Sequence, residues 1–259
     1  MVTEQSPTET LQILYEDNHL LAVLKPGGIL VQGGISREPS LMDMVKDYIK
    51  KKYHKPGEVF LGLVHRLDRP VSGVVLFART SKSASRLSEQ WRQRSITKIY
   101  WALVHGKMAR DAGRLISHLK KRRQRVSLTD ETQKRAQEAV LNYRTLFVRG
   151  EVSLLEVHLL TGRKHQIRAQ LAAEGCPIVG DVKYGAPGRR EDGTICLLAK
   201  SLTFMHPTRP ETIHIEAPTP EWAVQERAWS VLRGPLSVAL MFGVLFCLLS
   251  TVFCLLLEL

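Results

Sequence analysis

LGLVHRLDRPVSGVVLFART, Leu61 to Thr80, sets His65, Arg66 and Asp68 between two apolar runs. Leu61, Leu63 and Val64 precede them; Val74, Val75, Leu76, Phe77 and Ala78 follow. Runs of this length, rich in β-branched residues and broken by Pro70 and Gly73, read as buried strands joined by a tight turn. A carboxylate between buried strands is costly unless a cation holds it or a reaction uses it. Asp68 therefore needs a partner from elsewhere in the chain.

Upstream, residues 1–10 read as a flexible polar leader. Residues 13–34 read as strand, Asp17-Asn18 turn, strand, then a Pro26-Gly27-Gly28 break, with Lys25 as ordinary turn chemistry. Ser40 starts an amphipathic helix to Lys52, with Asp43 completing a capping box. Downstream, Ser81 to Arg94 reads as a second helix, capped by Ser81 or Ser83. Residues 97–107 alternate like a strand, with Tyr100 and Ala102 on one face. Lys120, Lys121, Arg122, Arg123 and Arg125 form the densest basic run. Such a run reads as a solvated loop or as a phosphate contact. Residues 136–160 read as two antiparallel strands turning at Gly150. Arg163 to Ala173 then suits a third helix, on which His165 and Arg168 are neighbours. A strand pair closes the domain, which is expected to span 11–230.

The chain has 259 residues, and 37 Lys and Arg against 25 Asp and Glu give a net charge of +12. That excess points to a polyanionic partner, nucleic acid before acidic membrane. The four cysteines form no C-x-x-C pair, so neither a disulfide framework nor a zinc site is indicated. Residues 234–257 carry no charge. As a helix they are long enough to cross a bilayer, and Arg227 and Arg233 on their N-terminal side would keep the main domain in the cytoplasm. The residues offer one isolated carboxylate, an aromatic hydroxyl on a strand and guanidinium groups at Arg163 and Arg168. No phosphate loop or Ser-His-Asp pattern is present.

With these features in hand, the chain resembles the RluA-type pseudouridine synthases. The likeness rests on HRLD with Ser72-Gly73, K-x-Y-x-A-x-V-x-G from Lys98 to Gly106, and T-G-R-x-H-Q-I-R from Thr161 to Arg168. The blocks D-N-x-L-L-x-x-x-K-P (Asp17 to Pro26), G-D-x-x-Y-G (Gly180 to Gly185) and L-x-F-x-H-P (Leu202 to Pro207) agree. It covers about residues 11–220. It implies an α+β fold: a bent, mixed, largely antiparallel sheet with flanking helices and a central RNA-binding cleft. It implies an isomerase that acts on uridines of rRNA or tRNA with no metal and no cofactor, as a monomer; a non-catalytic RNA-binding module on the same fold is the alternative. By motif position, Asp68 would be the catalytic aspartate, Tyr100 the ring that stacks on the target base, and Arg168 the partner of Asp68. Arg66 would enter the RNA stack when the uridine is flipped out. His65, Arg163 and Gln166 would contact RNA or support the site, and the 120–125 run would add phosphate contacts. Val71 stands where the family often has Thr, and Leu197-Leu198-Ala199 where it often has a histidine. An RNA-binding S4 domain, common in the family, has no counterpart before the first strand.

Overall fold

The structure, a computed structural model, describes residues 11–33, 38–122 and 125–223, without the side chain of Arg122. The expected leader, Arg123 and the apolar segment 234–257 lie outside the described residues. The chain divides into two units, Met1–Thr219 and Pro220–Leu259, and every element named below belongs to the first. Among the described residues, no helix is long and apolar enough to cross a membrane.

Eleven strands form one sheet. They are β1 (Gln12–Glu16), β2 (Leu20–Lys25), β3 (Gly62–Leu63), β4 (Ser72–Ala78), β5 (Thr97–His105), β6 (Ala112–Arg122), β7 (Arg125–Thr129), β8 (Gln137–Arg149), β9 (Val152–Leu159), β10 (Leu197–Met205) and β11 (Thr212–Glu216). Their spatial order is β1-β2-β4-β10-β5-β9-β8-β6-β7, with β3 on β4 and β11 on β10. Among the described strands, only β4 and β10 pair in parallel, at Ser72–Leu198 and Gly73–Ala199. Helices α1 (Leu41–Lys52), α2 (Ser81–Arg92) and α3 (Gln166–Ala173) accompany the sheet. The α+β expectation holds.

The apolar run after Asp68 sits at the centre. Val74, Val75, Leu76, Phe77 and Ala78 are fully buried, as are Leu20, Leu21, Ala22 and Val23 on the neighbouring strand. Helix α1 begins as expected: the Ser40 side chain accepts from the Asp43 N–H, and the Asp43 carboxylate accepts from the Ser40 N–H at 2.9 Å. Helix α2 is capped one residue earlier than expected, because Thr80 Oγ1 accepts from the Ser83 N–H.

One expectation changes. Lys120, Lys121, Arg122 and Arg125 of the basic run are not in a loop but in a strand pair, with β6 and β7 in register from His118–Thr129 to Arg122–Arg125. Leu119 and Val126, which bracket the cations, are buried against Ala139 of β8 and Ala169 of α3. Alternation puts apolar groups inward between charges, a strand signal that a dense basic run conceals.

His65 takes the supporting role of the two expected for it. Strand β4 shares one edge between β10, at Ser72 and Gly73, and β3, at Phe77 and Ala78. The stretch between them has no ladder partner on that side, and His65 Nε2 fills the gap by accepting the Leu76 N–H at 2.9 Å. Its ring stacks on Trp91 of α2 at 4.8 Å. An imidazole spent this way completes the sheet rather than contacting RNA. Burial, with the Lys98 charge, pushes its pKa down to about 4.

Gly73 decides how close β4 comes to β10. A Cβ there would lie 2.4 Å from the Ala199 carbonyl oxygen and 2.5 Å from its nitrogen. Its φ of +126° is a conformation L residues rarely adopt. Gly73→Ala should cost more than about 3 kcal/mol, measured by urea unfolding, since rigid backbone cannot yield; wild-type stability would refute the close approach. The neutral form of His65 is the folded form. Its contribution is therefore complete above its ordinary pKa of 6.5 and is lost as pH falls toward 4. His65→Phe should unfold more easily at pH 7, by about 1–3 kcal/mol for the orphaned N–H. It should then lose less stability than wild type between pH 7 and 4.5. Parallel pH profiles would contradict this role.

Candidate active site

Asp68 lies in the loop between β3 and β4, and that loop is tied down on several sides. The Val71 N–H donates to the Asp68 carbonyl, the Gly28 N–H to the Arg69 carbonyl and the Ile195 N–H to the Pro70 carbonyl. The strongest tie is one that sequence reading assigned to plain turn chemistry. Lys25, at 0 % exposure, donates from Nζ to the carbonyls of Pro26 (2.8 Å), Arg69 (3.1 Å) and Val71 (2.7 Å). Three acceptors meet the three ammonium donors, so the cation is spent on its own neighbour Pro26 and on the backbone just after Asp68. Burial, with Arg69, lowers its pKa to about 8, while the Asp68 charge opposes the shift.

The partner of Asp68 is Arg168. Arg168 Nη1 donates to Asp68 Oδ2 at 3.1 Å. The same guanidinium makes a two-pronged contact with Asp181, Nε to Oδ2 at 2.6 Å and Nη2 to Oδ1 at 2.8 Å. Arg168 and Asp181 are 5 % and 2 % exposed, so one buried cation is shared by two carboxylates. Burial works against the Arg168 charge, and Asp181 and Asp68 more than offset it. Arg66, two residues from Asp68, is exposed. Sequence reading missed Asp181, although Gly180-Asp181 opens one of the blocks that carried the family likeness.

Helix α3 starts later than expected, at Gln166, so Arg163 lies in the turn before it. Arg163 Nε donates to the Glu138 carbonyl at 3.0 Å. Gln166 is 2 % exposed. Its Oε1 accepts from Thr161 Oγ1 and the Arg163 N–H, and its Nε2 donates to the Val140 carbonyl. Three hydrogen bonds inside the protein thus hold this buried amide, and Gln166 braces the turn, the supporting role of the two expected for it. His165 is drawn to the site instead, with Nε2 3.6 Å from Asp68 Oδ2. Among the described residues, the Arg168 ion pair and the His165 contact with Asp68 both fall on Oδ2.

Tyr100 reaches the site through the sheet. Gly73 pairs with Ala199, and Ala199 pairs with Tyr100 on β5, so one strand separates the Asp68 loop from Tyr100. Burial first, and the Asp68 charge second, push the phenol pKa above its usual range. Tyr100 thus offers a neutral ring, suited to stacking and unsuited to taking a proton as phenolate. Of the basic run, Lys120 donates to Gln133 Oε1 at 3.4 Å on the surface, and Lys121 and Arg125 are exposed.

A family model described as RNA pseudouridylate synthase matches residues 19–173, more than half of the chain. A ribosomal large subunit pseudouridine synthase C of Buchnera aphidicola is 33% identical over 230 residues, 84% of this chain and 70% of that protein. A mitochondrial pseudouridylate synthase of Xenopus tropicalis is 36% identical over 199 residues, 69% of this chain and 61% of that one. The solved structure of human RNA pseudouridylate synthase domain containing 4 superposes with a TM-score of 0.68 at 26% identity, over 82% of this chain and 90% of that chain. A loop carboxylate held by a buried arginine beside a strand-borne tyrosine thus sits in a sheet shared with such enzymes, and the chain belongs to the RNA pseudouridylate synthase family of isomerases.

Proposed function

We propose that Asp68 is the catalytic carboxylate of this pseudouridine synthase and that the substrate is large-subunit ribosomal RNA. The observation that carries the first part is the Arg168–Asp68 contact, 3.1 Å long, on Oδ2. The similarity to ribosomal large subunit pseudouridine synthases supports the second. The isomerisation breaks the N-glycosidic bond of uridine, turns the base and rejoins it through carbon. Asp68 Oδ1 either attacks the sugar carbon or removes a sugar proton, and in both cases it must be ionised. Arg168 favours that state. The target must leave the base stack, at a cost of a few kcal/mol. Stacking on Tyr100 returns roughly 1–3 kcal/mol, and the exposed Arg66 is free to take the vacated place in the helix.

Charge around the site supports an RNA backbone. Burial lowers the pKa of Lys183, and the charges of Arg168, Lys164 and Arg125 lower it further, with Asp68 opposing. Lys183 thus feels both Asp68 and Arg125 of the basic hairpin. Lys120, Lys121, Arg122 and Arg123 are proposed to extend phosphate contact along the hairpin.

Residues 234–257 are proposed as a membrane tether that leaves the enzyme in the cytoplasm. Their uncharged composition is the support.

Asp68→Asn should abolish pseudouridine formation, with a loss above about 1,000-fold, while RNA affinity stays within about 3-fold. An active Asp68→Asn variant would sink the assignment. Arg168→Lys should lose about 10–100-fold in kcat, because an ammonium cannot engage both carboxylates in fork geometry. On fractionation, the full chain should sediment with membranes and a chain ending at Arg233 should not; a wholly soluble full chain would remove the tether.

A further inference from the structure

Tyr184 ends the short 3₁₀ turn Val182–Tyr184, three residues after Asp181. Its hydroxyl oxygen accepts the Val126 N–H of β7 at 3.0 Å and lies 2.7 Å from His165 Nδ1. The other ring nitrogen of His165 faces Asp68 Oδ2. A line of polar groups thus runs from the basic hairpin to the carboxylate, hydrogen-bonded from Val126 through Tyr184 to His165 and electrostatic over the last 3.6 Å to Asp68. His165 holds its place with a left-handed backbone, φ +53°, a conformation that a non-glycine residue keeps only when its surroundings impose it.

The proton positions along this chain follow from chemistry. The His165 side chain is 8 % exposed. Burial, with the charges of Arg168, Lys183 and Lys164, pushes its pKa down to about 4 against the pull of Asp68. The imidazole is therefore neutral at neutral pH and carries one N–H. A lone pair on Nε2 would point at a carboxylate oxygen and be repelled, so the proton sits on Nε2. Nδ1 must then accept, and the Tyr184 O–H donates to it. The Tyr184 oxygen keeps a lone pair for the Val126 N–H. For a neutral ring beside an ionised carboxylate, no other assignment avoids facing two lone pairs.

We propose that Tyr184 and His165 are positioning residues for Asp68: together with Arg168 they hold Oδ2, so that Oδ1 is presented for reaction. Their hold depends on the docked hairpin, because the Val126 N–H orients Tyr184. Leu119 and Val126 pack on Ala169 with Tyr184 beside them, so the same contacts dock the hairpin and set the chain. The Tyr184 ring also lies 5.0 Å from the Arg168 guanidinium, which ties both supports of Oδ2 to one residue. The inference rests on Asp68 being the reacting carboxylate.

Tyr184→Phe in the full chain removes one hydroxyl and keeps the ring against Arg168 and the hairpin. Its kcat for pseudouridine formation should fall roughly 10-fold with KM unchanged, as a displaced reacting group costs turnover rather than binding. Long-range ¹H–¹⁵N spectra of histidine-labelled protein at pH 7 give the second readout, with His165→Gln assigning the signal. Wild type should show the Nε2-protonated tautomer at His165, and Tyr184→Phe a mixture. An Nδ1-protonated His165 in wild type would overturn the proposal. So would a wild-type kcat in Tyr184→Phe, or a lowered kcat with the tautomer unmoved. Failure of the underlying reading would show separately, as activity retained in Asp68→Asn.

Discussion

One buried guanidinium organises this molecule. Arg168 grips Asp181 with two hydrogen bonds and reaches Asp68 with a third. A buried arginine facing a single loop carboxylate would be free to follow that loop wherever it moved. Fixed first to Asp181, it becomes a post against which Asp68 is set. Two anions around one cation leave a net negative charge. The buried Lys25 and the side chain of Lys183 both interact electrostatically with Asp68.

The sheet explains why residues 68, 100 and 168 meet. Strand β4 touches β10 only at its first two residues and then parts from it. The absence of a side chain at Gly73 permits that contact, and His65 seals the edge where the strands separate. The Asp68 loop enters beside Ala199 and so beside Tyr100. Lys25 holds the loop from below by its carbonyls, since a flexible carboxylate would lose the near-attack geometry that makes catalysis efficient. Helix α3 closes the arrangement from the far half of the sheet, with Gln166 bracing the turn that delivers Arg168.

Much of this was legible in the residues. The all-apolar run 74–78 marked the central strand because a strand buried on both faces needs no alternation. Ser40 and Asp43 announced α1, and the alternation in 97–107 announced β5. The ordered motif blocks gave the family and the Asp68–Arg168 pairing. What escaped had a common physical cause: the partner was distant and its signal local. Lys25 looked like a turn cation because its three acceptors come from the backbone, and two of them belong to residues 69 and 71. Asp181 stood in a quoted motif, yet nothing in its neighbourhood named Arg168. For His65 and Gln166 the sequence left a supporting role and an RNA contact open, because the backbone groups they bond, at Leu76 and Val140, are distant in sequence. The hairpin at 112–129 was hidden because its charges outnumber the inward-facing Leu119 and Val126.

The central claim is that Arg168 keeps Oδ2 of Asp68 while Oδ1 reacts. A crystal structure of the enzyme with an RNA carrying its unreacted target uridine tests it directly. The account predicts Oδ1 about 3.5 Å or less from the sugar of the flipped nucleotide, with Oδ2 still bonded to Arg168 and the Asp181 fork intact. Arg168 released from Asp68, or Oδ2 turned to the sugar, would contradict it.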